Sequence, residues 1–140
     1  RKYVCAEDYK VLIPNGYYEV QCAKYDDKFF LGKTHKLFLN FRVIIGEHEG
    51  KEIFMAFNMP YNGKIKTGSK YYKTWVMVNN WQRPSRNAKM SPRLFLNKIY
   101  KVRTRTSKPK SNGNEMPEQF WYSIVDEILQ VIASVTLSQS

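Results

Sequence analysis

From Lys36 to Ile45 the chain alternates: Leu37, Leu39, Phe41, Val43 and Ile45 take every second place, with Lys36, Phe38, Asn40, Arg42 and Ile44 between them. Period two puts the first set on one face of a β-strand and the second on the other. A chain with this segment has to bury one face of a sheet on a core. The other face is stranger. A strand buried on both sides would not carry Lys, Asn and Arg, and a purely solvated one would not carry Phe38. The pattern predicts an exposed ligand-binding face.

Shorter signals place the other elements. Tyr3 to Lys10 has no period and reads as a loose lead-in. Pro14-Asn15-Gly16 is a turn, and a strand follows from Tyr17 to Lys24 with Tyr18, Val20 and Cys22 on one face. Asp26 and Asp27 read as part of a polar connection ending near Gly32. Gly46 to Gly50 forms a glycine-bracketed turn, and Lys51 to Asn58 returns as a third strand. Pro60 to Gly68 is a loop. Ser69 is a fair N-cap for a helix from Lys70 to about Asn80, with a strand as rival because of its aromatic and β-branched content. Trp75 then falls in the core. Trp81 to Pro92 is a basic loop, and Ser91-Pro92 caps a short helical turn.

Lys98 to Thr106 alternates again, with Tyr100, Val102 and Thr104 on one face and Lys101, Arg103 and Arg105 on the other. Those three cations make a rail about 14 Å long at ~3.4 Å per residue. Ser107 to Glu118 is rich in Pro, Gly, Asn and Lys and reads as a mobile loop. Phe120 to about Gln130 supplies the last strand, with Asp126-Glu127 a bulge or the start of a helix, and 131–140 reads as a frayed tail.

This order predicts a mainly β fold: a five-stranded OB-fold barrel with a helix between strands 3 and 4. Its core covers about 12–130, and 140 residues leave room for one domain. An apolar content of 43% is too high for a disordered tail, and no apolar run reaches the ~18 residues of a membrane span. No secretory leader is visible within the chain, which opens at Arg1 without Met. Two cysteines, Cys5 and Cys22, suit a reducing compartment, and a cytoplasmic, bacterial or nucleoid-associated setting is expected.

Charge distribution narrows the partner. Ile53 to Asn114 is 62 residues without one Asp or Glu, yet it holds fourteen of the 23 Lys and Arg; the rest of the chain has nine cations against twelve acids. The formal +11 therefore belongs to one segment, whose self-repulsion a polyanion would relieve. Aromatics are interleaved with it, which suits single-stranded nucleic acid: phosphates are neutralised with counterion release while unstacked bases lie on rings. The nucleic-acid-binding candidates are Phe38, Asn40, Arg42, Phe54, Tyr61, Lys64, Lys66, Lys70, Lys73, Trp81, Arg83, Arg86, Lys89, Lys101, Arg103, Arg105, Lys108 and Lys110. They are expected to line one continuous positive groove.

The chain also resembles a family. Ile13-Pro14-x-Gly16-x-Tyr18, Leu37-x-Leu39-x-Phe41 and Gly46-x-x-x-Gly50-Lys51-x-Ile53-Phe54 are similar to the opening of small phage-type single-stranded-DNA-binding proteins. Ser91-Pro92 and Leu96-Asn97-Lys98 match that family's later pattern. The family serves replication and recombination modules of phages and mobile elements, and many members are grouped only as a domain of unknown function. The resemblance covers roughly Leu12 to Thr106. It implies an OB fold and binding of single-stranded DNA with little sequence preference, without naming the contact residues. Val131 to Ser140 lacks the acidic partner-recruiting tail of the bacterial housekeeping single-strand binder.

Other chemistries have weaker signals in the sequence. A metal-dependent nuclease would use Asp26 or Asp27 with Glu49 and Lys51 of the Glu49-Gly50-Lys51 triplet. His35 and His48 stand thirteen apart with no Cys beside them, so zinc spacing is missing. Gly32-Lys33-Thr34 lacks the upstream glycine of a phosphate loop. No metal or cofactor is expected, and a binding protein is expected rather than an enzyme. Single-stranded DNA is the expected partner, RNA the near alternative and a protein-interaction module the weaker one; replication or recombination proteins and a second copy of the chain are further candidate partners.

Overall fold

The computed structural model describes residues 10–30 and 34–134. The lead-in 3–9, Cys5, Gly32-Lys33 and the tail 135–140 lie outside the described residues. Among the described residues seven strands occur in chain order: β1 (Tyr17–Phe30), β2 (Thr34–Val43), β3 (Glu52–Met59), β4 (Lys98–Ser107), β5 (Lys110–Ser111), β6 (Asn114–Glu115) and β7 (Tyr122–Ser134). One α-helix, α1 (Lys70–Val78), stands between β3 and β4, followed by a 3-10 turn at Pro92–Phe95.

Five strands close in a ring in the order β1-β2-β3-β7-β4 and back to β1. All neighbours are antiparallel except β3 and β7, which meet in parallel where Phe54 pairs with Ile124. β1 can serve two neighbours because it is long: Tyr17 to Gln21 pair with β4, and Val20 onward pairs with β2. The switch is marked by a bulge that passes over Ala23. β7 spends thirteen residues against the ten of β4, and its ladder passes over Asp126, Leu129 and Ile132. Bulges of this kind tighten the twist a closed sheet needs. The sequence reading of Asp126-Glu127 as a bulge or a helix start resolves to the bulge.

The core is what the alternation requires. Leu37, Leu39, Phe41 and Val43 are wholly buried, as are Val20, Cys22, Tyr100 and Val102 from the flanking strands. α1 packs against β3, β7 and the 3-10 turn. Ser69 caps it by accepting a hydrogen bond from the Tyr72 N–H, and Tyr71 enters an aromatic cluster with Phe57 (5.3 Å) and Phe95 (6.0 Å). Trp75 is buried as expected, its Nε1–H donating to the Ser91 carbonyl at 3.0 Å. The Tyr71 and Tyr100 hydroxyls donate to Met90 and Phe95 carbonyls, both at 2.7 Å, which ties the 3-10 turn and the loop before it to the core. Burial pushes both phenols above their ordinary range.

Several expectations need correction. Asp26 and Asp27 are not in a connection but within β1, opposite Phe38 and Leu37. Both are exposed, so ladder pairing holds them extended with no burial of charge. Ile45 is off the apolar face: β2 stops at Val43, where Gly50 donates back to the Val43 carbonyl at 2.8 Å, and Ile45 lies in the turn, 60% exposed. The segment from Ser107 contains a hairpin, β5 with β6, around Asn112-Gly113, both in the left-handed region (φ +54° and +82°) that a tight two-residue turn demands. Residues 131–134 are not a frayed tail, because β7 continues through them against Lys98 to Tyr100. Among the described residues no helix is long and apolar enough to cross a membrane.

Candidate nucleic-acid interface

The outer face of β2, β3 and β7 carries a row of rings. Phe38 and Phe54 lie 5.7 Å apart edge to face, and Phe54 stacks on Tyr122 at 5.7 Å with planes 27° apart. Alternation aims these side chains away from the core, and the β3–β7 pairing sets Tyr122 beside Phe54. Ammonium groups sit over the rings: Lys28 5.6 Å from Phe38, and Lys10 5.7 Å from Phe54 and 4.2 Å from Tyr122. Lys10 reaches there because the segment before β1 is stitched to β7. The Ile13 N–H donates to Ser123 Oγ at 2.8 Å, and the Ser123 N–H donates to the Val11 carbonyl at 2.7 Å. Asn40 stands opposite Phe54, and Arg42 opposite Glu52. Beyond β4, Lys108 lies 4.3 Å over the Trp121 ring, and Lys110 is exposed on β5.

A second cationic surface lies on the connection between β3 and β4. Lys64, Arg86 and Lys89 line a cleft of about 770 Å³ with Tyr72 and Pro84. It shares Tyr72 and Thr67 with a neighbouring cleft of about 540 Å³ lined by Lys73, Val76, Trp81 and Arg83. On its other side it shares Lys64 with a third, about 510 Å³, formed by Asn58, Met59, Tyr61 and Lys66. Among the described residues none of the three has an acidic wall. Trp81 is 74% exposed, and its backbone and that of Asn80 are left-handed (φ +62° and +58°). Asn80 is the ordinary left-handed residue after a helix end, where Trp81 N–H bonds the Val76 carbonyl at 2.8 Å. A bulky ring in that region is an outlier.

The β4 rail is built as the spacing predicted, but it is not a free cationic track. Arg103 bonds Asp126 at 2.8 Å and lies 3.4 Å from Glu127, and Arg105 bonds the other Asp126 oxygen at 3.0 Å. Lys70 reaches the same bulge, donating to the Asp126 carbonyl at 2.7 Å. The Arg103 hydrogen bond, ahead of that from Arg105, holds the Asp126 carboxyl below its ordinary range. Among the described residues Lys101 makes no ion pair; it stands opposite Glu19 in the ladder and lies 5.6 Å over the Tyr17 ring. The candidates thus fall on the sheet face, on the β3–β4 connection and on the β4 rail, whose two arginines are paired with Asp126.

Two rings and two cations escaped the sequence reading: Tyr122 and Trp121, Lys10 and Lys28. Lys10 and Lys28 lie outside the acid-free segment, and only the closure of the ring brings Tyr122 to Phe54. The nuclease set does not converge. Asp27 bonds His35 at 2.9 Å opposite Leu37, whereas Glu49 is in the turn beyond Val43, six residues or about 20 Å along β2. Lys51 instead contacts His48 at 3.0 Å. Among the described residues no three His, Cys, Asp or Glu side chains are grouped to hold a metal ion. Cys22 is a buried hydrophobe whose thiol burial pushes up to about 12. No protein-family model matches the chain, and no curated protein is found to be related to it.

Proposed function

We propose that this chain is a non-enzymatic single-stranded-DNA-binding protein on a five-stranded OB-fold barrel, acting in replication or recombination of a phage or mobile element. The ring order, its parallel β3–β7 closure and the helix between β3 and β4 support the OB reading. In that fold the β2–β3 face and the loops after the first and fourth strands take oligonucleotides. The observation that carries the proposal is the Phe38–Phe54–Tyr122 row on that face with Lys10 and Lys28 over its rings. Bases stack on the row at ~1–3 kcal/mol each, tolerating any sequence because every base has a π-face. Lysines around it neutralise phosphates and release counterions.

The test is fluorescence anisotropy of labelled oligo-dT, with oligo-U and duplex as competitors, at about 50 and 200 mM salt. With about five phosphate contacts, log K should fall against log salt with a slope near −3.5. Phe54→Ala and Tyr122→Ala should each weaken binding by ~5- to 100-fold, the equivalent of one lost stack. A flat salt response, or full affinity in both variants, would overturn the proposal. Oligo-U competing as well as oligo-dT would redirect it to RNA.

A further inference from the structure

We infer that the connection between β3 and β4 is a second nucleic-acid contact site, contiguous with the sheet face, that ends on Trp81 and sets the length of strand bound. This rests on the reading of the sheet face above. Three rings with spacings of 5.7 Å hold only about three bases, fewer than the ~4–16 nucleotides that one OB fold covers. The strand must leave that row somewhere. The outer positions of β3 run Phe54, Ala56, Asn58, and Asn58 is already a wall of the 510 Å³ cleft.

From there the three clefts share walls at Lys64 and at Tyr72, so they form one trench. Among the described residues its cations, Lys64, Lys66, Lys73, Arg83, Arg86 and Lys89, form no ion pair, in contrast to Arg103 and Arg105. A trench with cationic walls and no carboxylate fits a phosphodiester chain. Trp81 closes its far end with an exposed ring on backbone held in a strained region. Strain of that kind persists where the surrounding structure over-determines it and clusters at ligand-clamping sites. An indole offered to solvent beside Lys73 and Arg83 is a stacking platform for a terminal base.

The experiment compares a 5-mer and a 20-mer of oligo-dT on the whole chain. The variants are Trp81→Ala and the triple Lys64→Ser, Arg86→Ser, Lys89→Ser, with circular dichroism as a check of folding. The 20-mer should bind the wild type at least ~10-fold more tightly than the 5-mer after correction for register. The triple variant should lose most of that gain and flatten the 20-mer salt slope by ~2, at −0.7 per lost contact. It should bind the 5-mer as before. Emission that disappears in Trp81→Phe should be quenched by the 20-mer and not by the 5-mer. Unchanged 20-mer binding in the variants would overturn the inference while leaving the sheet-face reading standing, and so would equal loss on both lengths. A 5-mer that fails to bind the wild type, or binds it as well as it binds Phe54→Ala, would sink the sheet-face reading instead.

Discussion

The trench walls and the β4 rail come from the same acid-free segment, yet they meet different surroundings. Lys64, Arg86 and Lys89 face a cleft with no carboxylate, whereas Arg103 and Arg105 close on the two oxygens of Asp126. In the sequence the rail is the stronger signal, three cations at period two. In the fold it is the weaker one, because the ladder brings in an acid from 21 residues downstream of Arg105. Charge along a chain becomes charge on a surface only after pairing has chosen the neighbours.

The largest expected effect tests that contrast directly. Neutralising Lys64, Arg86 and Lys89 to Gln should weaken a 20-mer by ~10- to 100-fold at about 50 mM salt and flatten its salt slope. Arg103→Gln with Arg105→Gln should cost less than about 3-fold, because those guanidinium groups already have a partner and surface pairs contribute little. If the rail variant loses more than the trench variant, anisotropy will have reversed the ranking of the two surfaces.

Removing the carboxylate should move the rail the other way. Asp126→Asn frees Arg105 to meet phosphate and leaves Arg103 only its 3.4 Å contact with Glu127, so binding should tighten by a few-fold and its salt slope steepen by ~0.7 to 1.4 for one or two added contacts. The pH dependence has a definite sign. Asp126 sits below its ordinary value of 3.8, so its pairing stabilises the fold above that value and the benefit is lost as pH falls through the lowered one. Acid titration of thermal stability should therefore fall less steeply below about pH 4 in Asp126→Asn than in the wild type. Equal slopes would mean the ion pair holds nothing.

Much of the fold was legible because it is local. Period two at Leu37, Leu39, Phe41 and Val43, the Ser69 cap and the Ser91-Pro92 turn each state their structure within a few residues. Phe38 was legible as an outward ring on the same terms. What was lost is non-local. Tyr122 joins Phe54 through the parallel closure, Lys10 arrives through Ser123, and Asp126 reaches the arginines through a bulge. Asp26 and Asp27 read as a connection by composition, yet a long partner strand keeps them in β1.

A smaller effect separates strain from fold at the trench's end. Left-handed backbone costs a non-glycine residue about 1–2 kcal/mol. Trp81→Gly should therefore raise stability by up to ~1 kcal/mol in chemical denaturation while removing the 20-mer quench. A Trp81→Gly chain that is less stable would mean the ring packs for the fold and does not wait for a base.

The smallest expected effect is none, and it decides what the others mean. Cys22 is walled inside the ring, and its thiol, pushed up to about 12, carries almost no thiolate at pH 8. With Cys5→Ser as background, native protein should resist alkylation at that pH and react only as denaturant opens the ring. Surface variants at Lys64, Arg86, Lys89, Arg103, Arg105 or Asp126 should leave that protection unchanged. A variant that loses DNA while Cys22 stays protected has lost contacts. One whose Cys22 reacts at the unfolded rate has lost the ring that aligns both surfaces, and its affinity says nothing about either.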